Sequence, residues 1–423
     1  MPKVVLQIDS LARGEAVARR DGQVVFVPGA APGDTVEVEV PDSAESAVRA
    51  SLLRVLEPSP SRREPGCPHF GRCGGCQWLH VDEDAQARAK EALFYDALRR
   101  IGGIDRARLD AHPLVRSRTP LHYRQRAKLH LKKGALGYAA LASHELVELT
   151  ECRLLSPLLE AALLRIKAAL PAAGVPSGAT DLSVATDGRR VSAAFHGAAP
   201  SKASLERATK LMRAARLDGV LLAPESGPLQ AVGEVLLRQP APLADGVTLY
   251  GRPDLFAQAN PETNPELVRR AVEGLGDARR VLELYAGAGN FTFAMAARGQ
   301  EVTAVEYGAD ALELARRSAR EAKLTNVRFM QGDSLKLAAA LAREGQPFDA
   351  VLLDPPRIGA KGIAKALGPL GAKRIVYVSC DPATLARDAK ELEAAGYVAV
   401  EAVPVDMFPQ TFHVEGVLRL ERR

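Results

Sequence analysis

The five cysteines are the residues of this chain best suited to chemistry, and they fall into two sets. Cys67, Cys73 and Cys76 lie in one short loop punctuated by Pro68, Gly71, Gly74 and Gly75, while Cys152 must be brought in by the fold. Four thiolates can hold a structural zinc ion or a 4Fe–4S cluster. Zinc sites usually present two close pairs, which the C-x5-C-x2-C spacing lacks, so the spacing leans towards iron–sulfur. An odd number of cysteines, so unevenly spaced, is no disulfide framework, which points to a reducing, cytoplasmic setting. Cys380 stands alone at the end of the apolar run Ile375–Ser379, just before Asp381-Pro382. A lone thiol at a strand end, beside a cofactor site, is where a nucleophile would stand.

Residues that could form that cofactor site precede it. Tyr285-Ala286-Gly287-Ala288-Gly289-Asn290 follows an apolar run and opens a helix, and its glycines let the backbone approach a ligand closely. Glu306, 19 residues after Gly287, could accept hydrogen bonds from ribose hydroxyls. The turn lacks the third glycine expected for a pyrophosphate, so adenosine without phosphates fits better than a dinucleotide, although a nicotinamide site is the alternative. Gly332-Asp333 is placed for an adenine ring. Asp354-Pro355-Pro356-Arg357 could grip an exocyclic amine, or be a proline-terminated strand with a capping aspartate.

A thiol on this rim changes the reaction expected. Carbon 5 of uracil is a poor nucleophile, but thiolate attack at carbon 6 makes the ring an enolate whose carbon 5 can take a methyl group. A base must then remove the carbon 5 proton, and Glu415 could serve. Alone, Glu415 reads as an ordinary surface glutamate.

The elements that must position these groups are legible from about Val281 onward. Short apolar runs at 281–285, 302–306, 327–330, 350–354 and 374–379 are separated by helical segments such as 309–324 and 382–395. Strands alternating with helices imply an α/β fold, a mostly parallel sheet covered on both faces, with ligands at the carboxyl ends of its strands. The segment 414–420 reads as a last, antiparallel strand.

The first 58 residues are all-β in character: Val36, Val38 and Val40 alternate with Glu37 and Glu39, and Asp21-Gly22 reads as a hairpin turn. A small closed barrel would use such strands. A Pro- and charge-rich linker, 57–65, follows, then a helix from about Asp82 to Ile101, and 171–180 reads as a loop. From Ala111 to His144 there are seven basic residues and no acidic one. There Arg124, Arg126 and Lys128 alternate with smaller or apolar side chains, a row suited to a phosphate backbone or a solvated edge strand. A net charge of +5 does not decide between them. With no window of about 18 apolar residues, no transmembrane helix is expected, and the start shows no signal-peptide organisation.

Taken together, 256–260 (Phe-Ala-Gln-Ala-Asn), 284–292, Asp354-Pro355-Pro356-Arg357, 378–384 and His413-Val414-Glu415 resemble the RNA uracil-5 methyltransferase family. The likeness extends to the amino-terminal segment, which resembles a TRAM domain, and to the cysteine pattern, closest to the cluster-containing 23S rRNA branch. It implies a class I Rossmann-like methyltransferase domain (256–423), an N-terminal TRAM/OB-like β-barrel (1–58) and a central α+β iron–sulfur domain (59–255). It implies Cys380 as nucleophile, Glu415 as base, and S-adenosylmethionine contacts from Gln258, Tyr285, Gly287, Asn290, Glu306, Asp333 and Asp354. It implies a 4Fe–4S cluster on Cys67, Cys73, Cys76 and Cys152, and an RNA partner, 23S rRNA before tRNA; a monomer is expected. Gly416 departs from the usual threonine after the glutamate, which puts the aim of Glu415 in question. The rival readings are an amino-methyltransferase in which Cys380 is idle, and a non-catalytic RNA-binding factor.

Overall fold

The computed structural model describes residues 2–43, 45–141 and 143–423; Met1, Ala44 and Ala142 lie outside the described residues. The chain begins with two small sheets. Lys3–Gln7, Thr35–Glu39 and Ser51–Glu57 form one, and Ser10–Leu11, Ala16–Arg20, Gln23–Val27 and Ala47–Arg49 the other. Alternation decides which side is core: Val36, Val38 and Val40 are fully buried while the glutamates between them face outward. Asp21 and Gly22 both have positive φ and close the hairpin in which Arg20 pairs with Gln23, as a type I′ turn requires. Beyond the linker, Trp78 and Val81 complete this core. The linker itself is held by Arg62, which ion-pairs with the buried Asp34 at 2.6 Å.

A middle sheet of seven strands is ordered Leu146–Glu148, Ala135–Ala139, Arg126–Lys132, Asp181–Thr186, Val191–His196, Gly219–Ala223, Gln230–Gly233. The strand Arg126–Lys132 lies between two neighbours, so it is no edge. The expected loop at 171–180 starts later: a helix runs Pro157–Ala173, with Pro171 in its last turn. Its buried stripe of Leu159, Leu163, Ile166, Leu170 and Ala173 keeps the helical period to the end, and that packing outweighs the hydrogen bond the proline cannot make.

The carboxyl-terminal sheet has eight strands, ordered Val327–Gln331, Glu301–Glu306, Arg280–Leu284, Ala350–Leu353, Arg374–Ser379, Glu415–Arg422, Tyr397–Val405, Asp110–Ala111. The first five are parallel, and Glu415–Arg422 is inserted antiparallel beside Arg374–Ser379, as its pattern implies. Strand order reverses between Arg280–Leu284 and Ala350–Leu353, which opens a crevice at their carboxyl ends.

Two pieces from earlier in the chain complete this sheet. Asp110–Ala111 pairs with its outer strand. The helix α1 (Glu83–Ala97), capped by Asp82, packs Phe94, Tyr95 and Leu98 into its core. The helix tightly resembles its expected span, but its end, Leu98–Gly102, widens into a π-turn, with Gly102 close against the Ala386 carbonyl. Lys90, fully buried, pairs with Asp406 at 2.6 Å and donates to the Phe408 carbonyl, which ties α1 to the loop ahead of Glu415. No helix among the described residues is long and apolar enough to cross a membrane.

Candidate functional site

The crevice gathers the residues that the sequence scattered. Ser379 pairs with Gly416 across antiparallel strands, so Cys380 and Glu415, the next residue on each, come together although 35 positions separate them. Glu415 is buried, and among the described residues its Oε2 has no hydrogen-bond partner. A buried carboxyl oxygen without a partner is costly to keep unless a ligand uses it. Burial holds the Glu415 carboxyl well above the ordinary carboxylate range, Asp354 adds to the rise, and Arg357 opposes it. Burial alone pushes Asp354 up to about 7. Two buried carboxyls so placed each hold a proton more tightly than an exposed one would. Burial also pushes the Cys380 thiol up to about 12, reinforced by Glu415 and opposed by Arg357.

Arg357 is therefore the cation of this corner, a role the sequence reading did not assign. Its guanidinium reaches the His413 ring at 3.0 Å, and burial followed by that neighbouring charge lowers His413 to about 4, so the imidazole is neutral. The ring of Phe412 lies 4.2 Å from His413, centroid to centroid.

On the donor side, Gln258 Nε2 lies 3.4 Å from Asp354 Oδ2. Tyr285 has φ of 62°, a strained setting for a non-glycine residue, and its N–H donates to Ser334. Gly287 follows at φ 57° with open space where a Cβ would sit, and donates its N–H to Glu306 Oε2 at 2.8 Å. The other Glu306 oxygen accepts the Gly308 N–H, so the carboxylate is fixed at the second strand's end. Asn290 is locked in a reciprocal amide pair with Asn264. Asp333 caps the helix Ser334–Arg343 by accepting the Lys336 N–H.

Glu283 was missed by the sequence reading. It is buried in the first strand, accepts the Thr292 hydroxyl with Oε2, and leaves Oε1 without a partner among the described residues. Burial lifts it to about 8, against the Thr292 hydrogen bond and with Asp354 and Glu306 adding to the rise. The signal was a carboxylate inside the apolar run Val281-Leu282-Glu283-Leu284.

The four remaining cysteines line one cavity of about 590 Å³, together with Arg124, Tyr138, Arg357 and His413. None forms a disulfide. Among the described residues they do not make a compact ligand group in which three ligand atoms all lie within 4.8 Å of one another. Tetrahedral zinc, with Zn–S bonds of ~2.3 Å, would need sulfurs roughly 3.8 Å apart. Burial raises the Cys76 thiol to about 12, with Cys152 adding to the rise and Arg124 opposing it.

The expected basic row divides. Arg124 bridges to Leu155 ahead of the strand and faces the cysteine cavity instead. Arg126 points its guanidinium at the carbonyls of Arg252 and Leu255, at 3.2 and 2.6 Å, and burial lowers it to about 10. Lys128 remains exposed, 3.9 Å from Asp181. The alternation placed these side chains on a strand, but backbone carbonyls from 252–255 claim one of them.

A family model described as tRNA (Uracil-5-)-methyltransferase matches residues 202–423, and one described as TRAM domain matches 6–53. The chain is 36% identical over 415 residues to a 23S rRNA (uracil(1939)-C(5))-methyltransferase RlmD from Pectobacterium atrosepticum, covering 96% of this chain and 90% of that protein. It is 36% identical over 424 residues to the protein of that description from Salmonella typhi, covering 97% and 94%. The solved tRNA (uracil-54, C5)-methyltransferase of Pyrococcus abyssi, in complex with S-adenosyl-L-homocysteine, superposes with a TM-score of 0.75 at 25% identity, covering 98% of this chain and 99% of that one.

Proposed function

The chain belongs to the RNA uracil-5 methyltransferase family, and from that premise we propose that it methylates carbon 5 of a 23S rRNA uridine through a covalent Cys380–uracil adduct resolved by Glu415. It is an S-adenosylmethionine-dependent enzyme acting on uracil in RNA. The observation that carries the mechanism is the register Ser379–Gly416, which seats the thiol beside a buried carboxyl with a free oxygen.

The donor supplies an electrophilic methyl group, and Gln258, Tyr285, Gly287, Asn290, Glu306, Asp333 and Asp354 are the residues proposed to hold it. The Cys380 thiol gives its proton to water as uracil binds, with Arg357 stabilising the thiolate. Its sulfur adds to carbon 6, and the electron pair displaced towards carbon 5 takes the methyl group. Glu415 then removes the carbon 5 proton, and the carbon–sulfur bond breaks to restore the thiolate. A carboxyl of high proton affinity is a strong base once ionised, and a cationic donor beside Asp354 favours that ionised form.

In this reading 1–58 is an RNA-binding barrel, 59–255 a central domain and 256–423 the catalytic domain. Cys67, Cys73, Cys76 and Cys152 are proposed to hold a 4Fe–4S cluster. What supports that donor set is that the four thiols line one cavity. Methyl transfer needs no redox step, so the cluster's contribution is to tie the 67–76 loop to Cys152. Within the basic row 124–128, Lys128 is the exposed side chain and is proposed to meet a phosphate.

A second reading, the same chemistry on tRNA, is favoured by the fold likeness to the Pyrococcus abyssi enzyme, but identity to the 23S rRNA enzymes is higher. Mapping 5-methyluridine in total RNA from a deletion strain decides. Loss from 23S rRNA supports the first reading, loss from tRNA the second, and no loss from either removes both.

A further inference from the structure

Among the described residues, the most exposed large apolar side chains are Phe256, Tyr307 and Ile358, at 78%, 77% and 75%, well above Val5 at 58%. Scattered exposed apolar residues need no explanation. These share one place. Phe256 is two residues before Gln258, Tyr307 directly follows Glu306, and Ile358 directly follows Arg357, all on the carboxyl rim of the catalytic sheet.

Ile358 differs in being presented on a clamped loop. Its carbonyl accepts Arg387 Nη2 at 2.9 Å, the Ala360 N–H donates to Asp388 at 2.6 Å, and the Gly362 N–H donates to Glu391 at 3.0 Å. All these partners lie on the helix Pro382–Ala394, which begins two residues after Cys380. Gly359, at φ 76°, makes the bend, and a Cβ there would collide with Asp388 and Arg387. An apolar side chain is thus held in water by the frame that holds the nucleophile. Arg357 and Lys361, both exposed, flank it with positive charge.

We propose that Ile358 is a wedge that enters the RNA stack as the target uridine leaves it. A uridine must be unstacked to meet a half-buried thiol, and apolar side chains, isoleucine among them, fill steps opened in this way. The occupant is the pair of nucleotides flanking the target. Their bases cover Ile358, and a phosphate faces Lys361. This rests on the reading of the site as an RNA uracil-5 methyltransferase.

The test compares Ile358→Ser, Ile358→Met and unaltered enzyme on two RNAs: a folded 23S rRNA fragment carrying uracil 1939, and a short unstructured oligonucleotide of the same local sequence. On the folded RNA, Ile358→Ser lowers kcat/KM by roughly 10- to 100-fold, the scale of losing one buried apolar side chain. On the oligonucleotide it stays within about twofold, and Ile358→Met recovers the folded substrate. Equal rates on the folded RNA, or an equal loss on both, overturn the wedge. If unaltered enzyme methylates neither, the 23S rRNA reading fails, and a folded tRNA carrying uracil 54 with its matching oligonucleotide gives the same comparison.

Discussion

The ring of Phe94 lies on Gly416, so closely that a Cβ at 416 would fall inside van der Waals contact with it. At position 416, directly after Glu415, a side chain would have to displace the Phe94 ring of α1. Glycine there leaves the strand carrying Glu415 free to sit against a fully buried aromatic ring.

Gly416→Ala is expected to cost about 1–3 kcal/mol as an overpacked core and to reduce methylation more than donor binding, because the strand must shift beneath Glu415. Adding Phe94→Leu should recover part of both losses. Thermal melts and single-turnover rates of the two single variants and the double variant check this. Additive losses would show that the two positions are not coupled.

Glu283 predicts a pH-dependent stability. Its carboxyl is raised from 4.5 to about 8 in the folded chain, so folding retains a proton that the unfolded chain releases. The associated stability is complete below about 4.5 and is lost as pH rises through about 8. Glu283→Gln keeps an acceptor for the Thr292 hydroxyl and cannot ionise. The variant should melt close to the unaltered chain at pH 5 and several degrees above it at pH 8.5. A constant offset across that range would remove the buried-proton account.

Much of the site was legible because local rules governed it. The strand-and-helix alternation located Glu306, Asp333, Asp354 and Cys380 at strand ends, and the valine alternation located the core between the two amino-terminal sheets. The meeting of Cys380 with Glu415 was not legible from spacing, since an antiparallel register sets it. Nor was the engagement of Arg126 by carbonyls of 252–255, or the pressure of Phe94 on Gly416, because both depend on segments distant in sequence. Glu283 was visible as a carboxylate in an apolar run but was passed over. Its burial is tolerable because it stays protonated.

The cysteine cavity predicts a brown protein when purified anaerobically, with iron and acid-labile sulfide near four each per chain. Cys152→Ser should release the iron and lower the melting temperature of the middle sheet, against whose core Cys73 and Cys152 pack. Stoichiometric zinc without sulfide would refute the cluster.

The adduct separates nucleophile from base. Cys380→Ala should abolish methylation while S-adenosylmethionine still binds, because the thiol is needed only to activate the ring. Glu415→Gln leaves addition and methyl transfer possible but gives the carbon 5 proton nowhere to go, so a protein–RNA adduct that survives denaturing gels should accumulate. RNA containing 5-fluorouridine should trap the unaltered enzyme for the same reason, since fluorine occupies the position of the removable proton. The coupling of Glu415 with Asp354 sharpens the expectation. Asp354→Asn removes a neighbour that raises Glu415, so Glu415 becomes easier to ionise and a weaker base, and the resolving step should depend less on alkaline pH. Peptide mapping that places the trapped RNA anywhere but Cys380 would show that the register between its strand and that of Glu415 does not serve this chemistry.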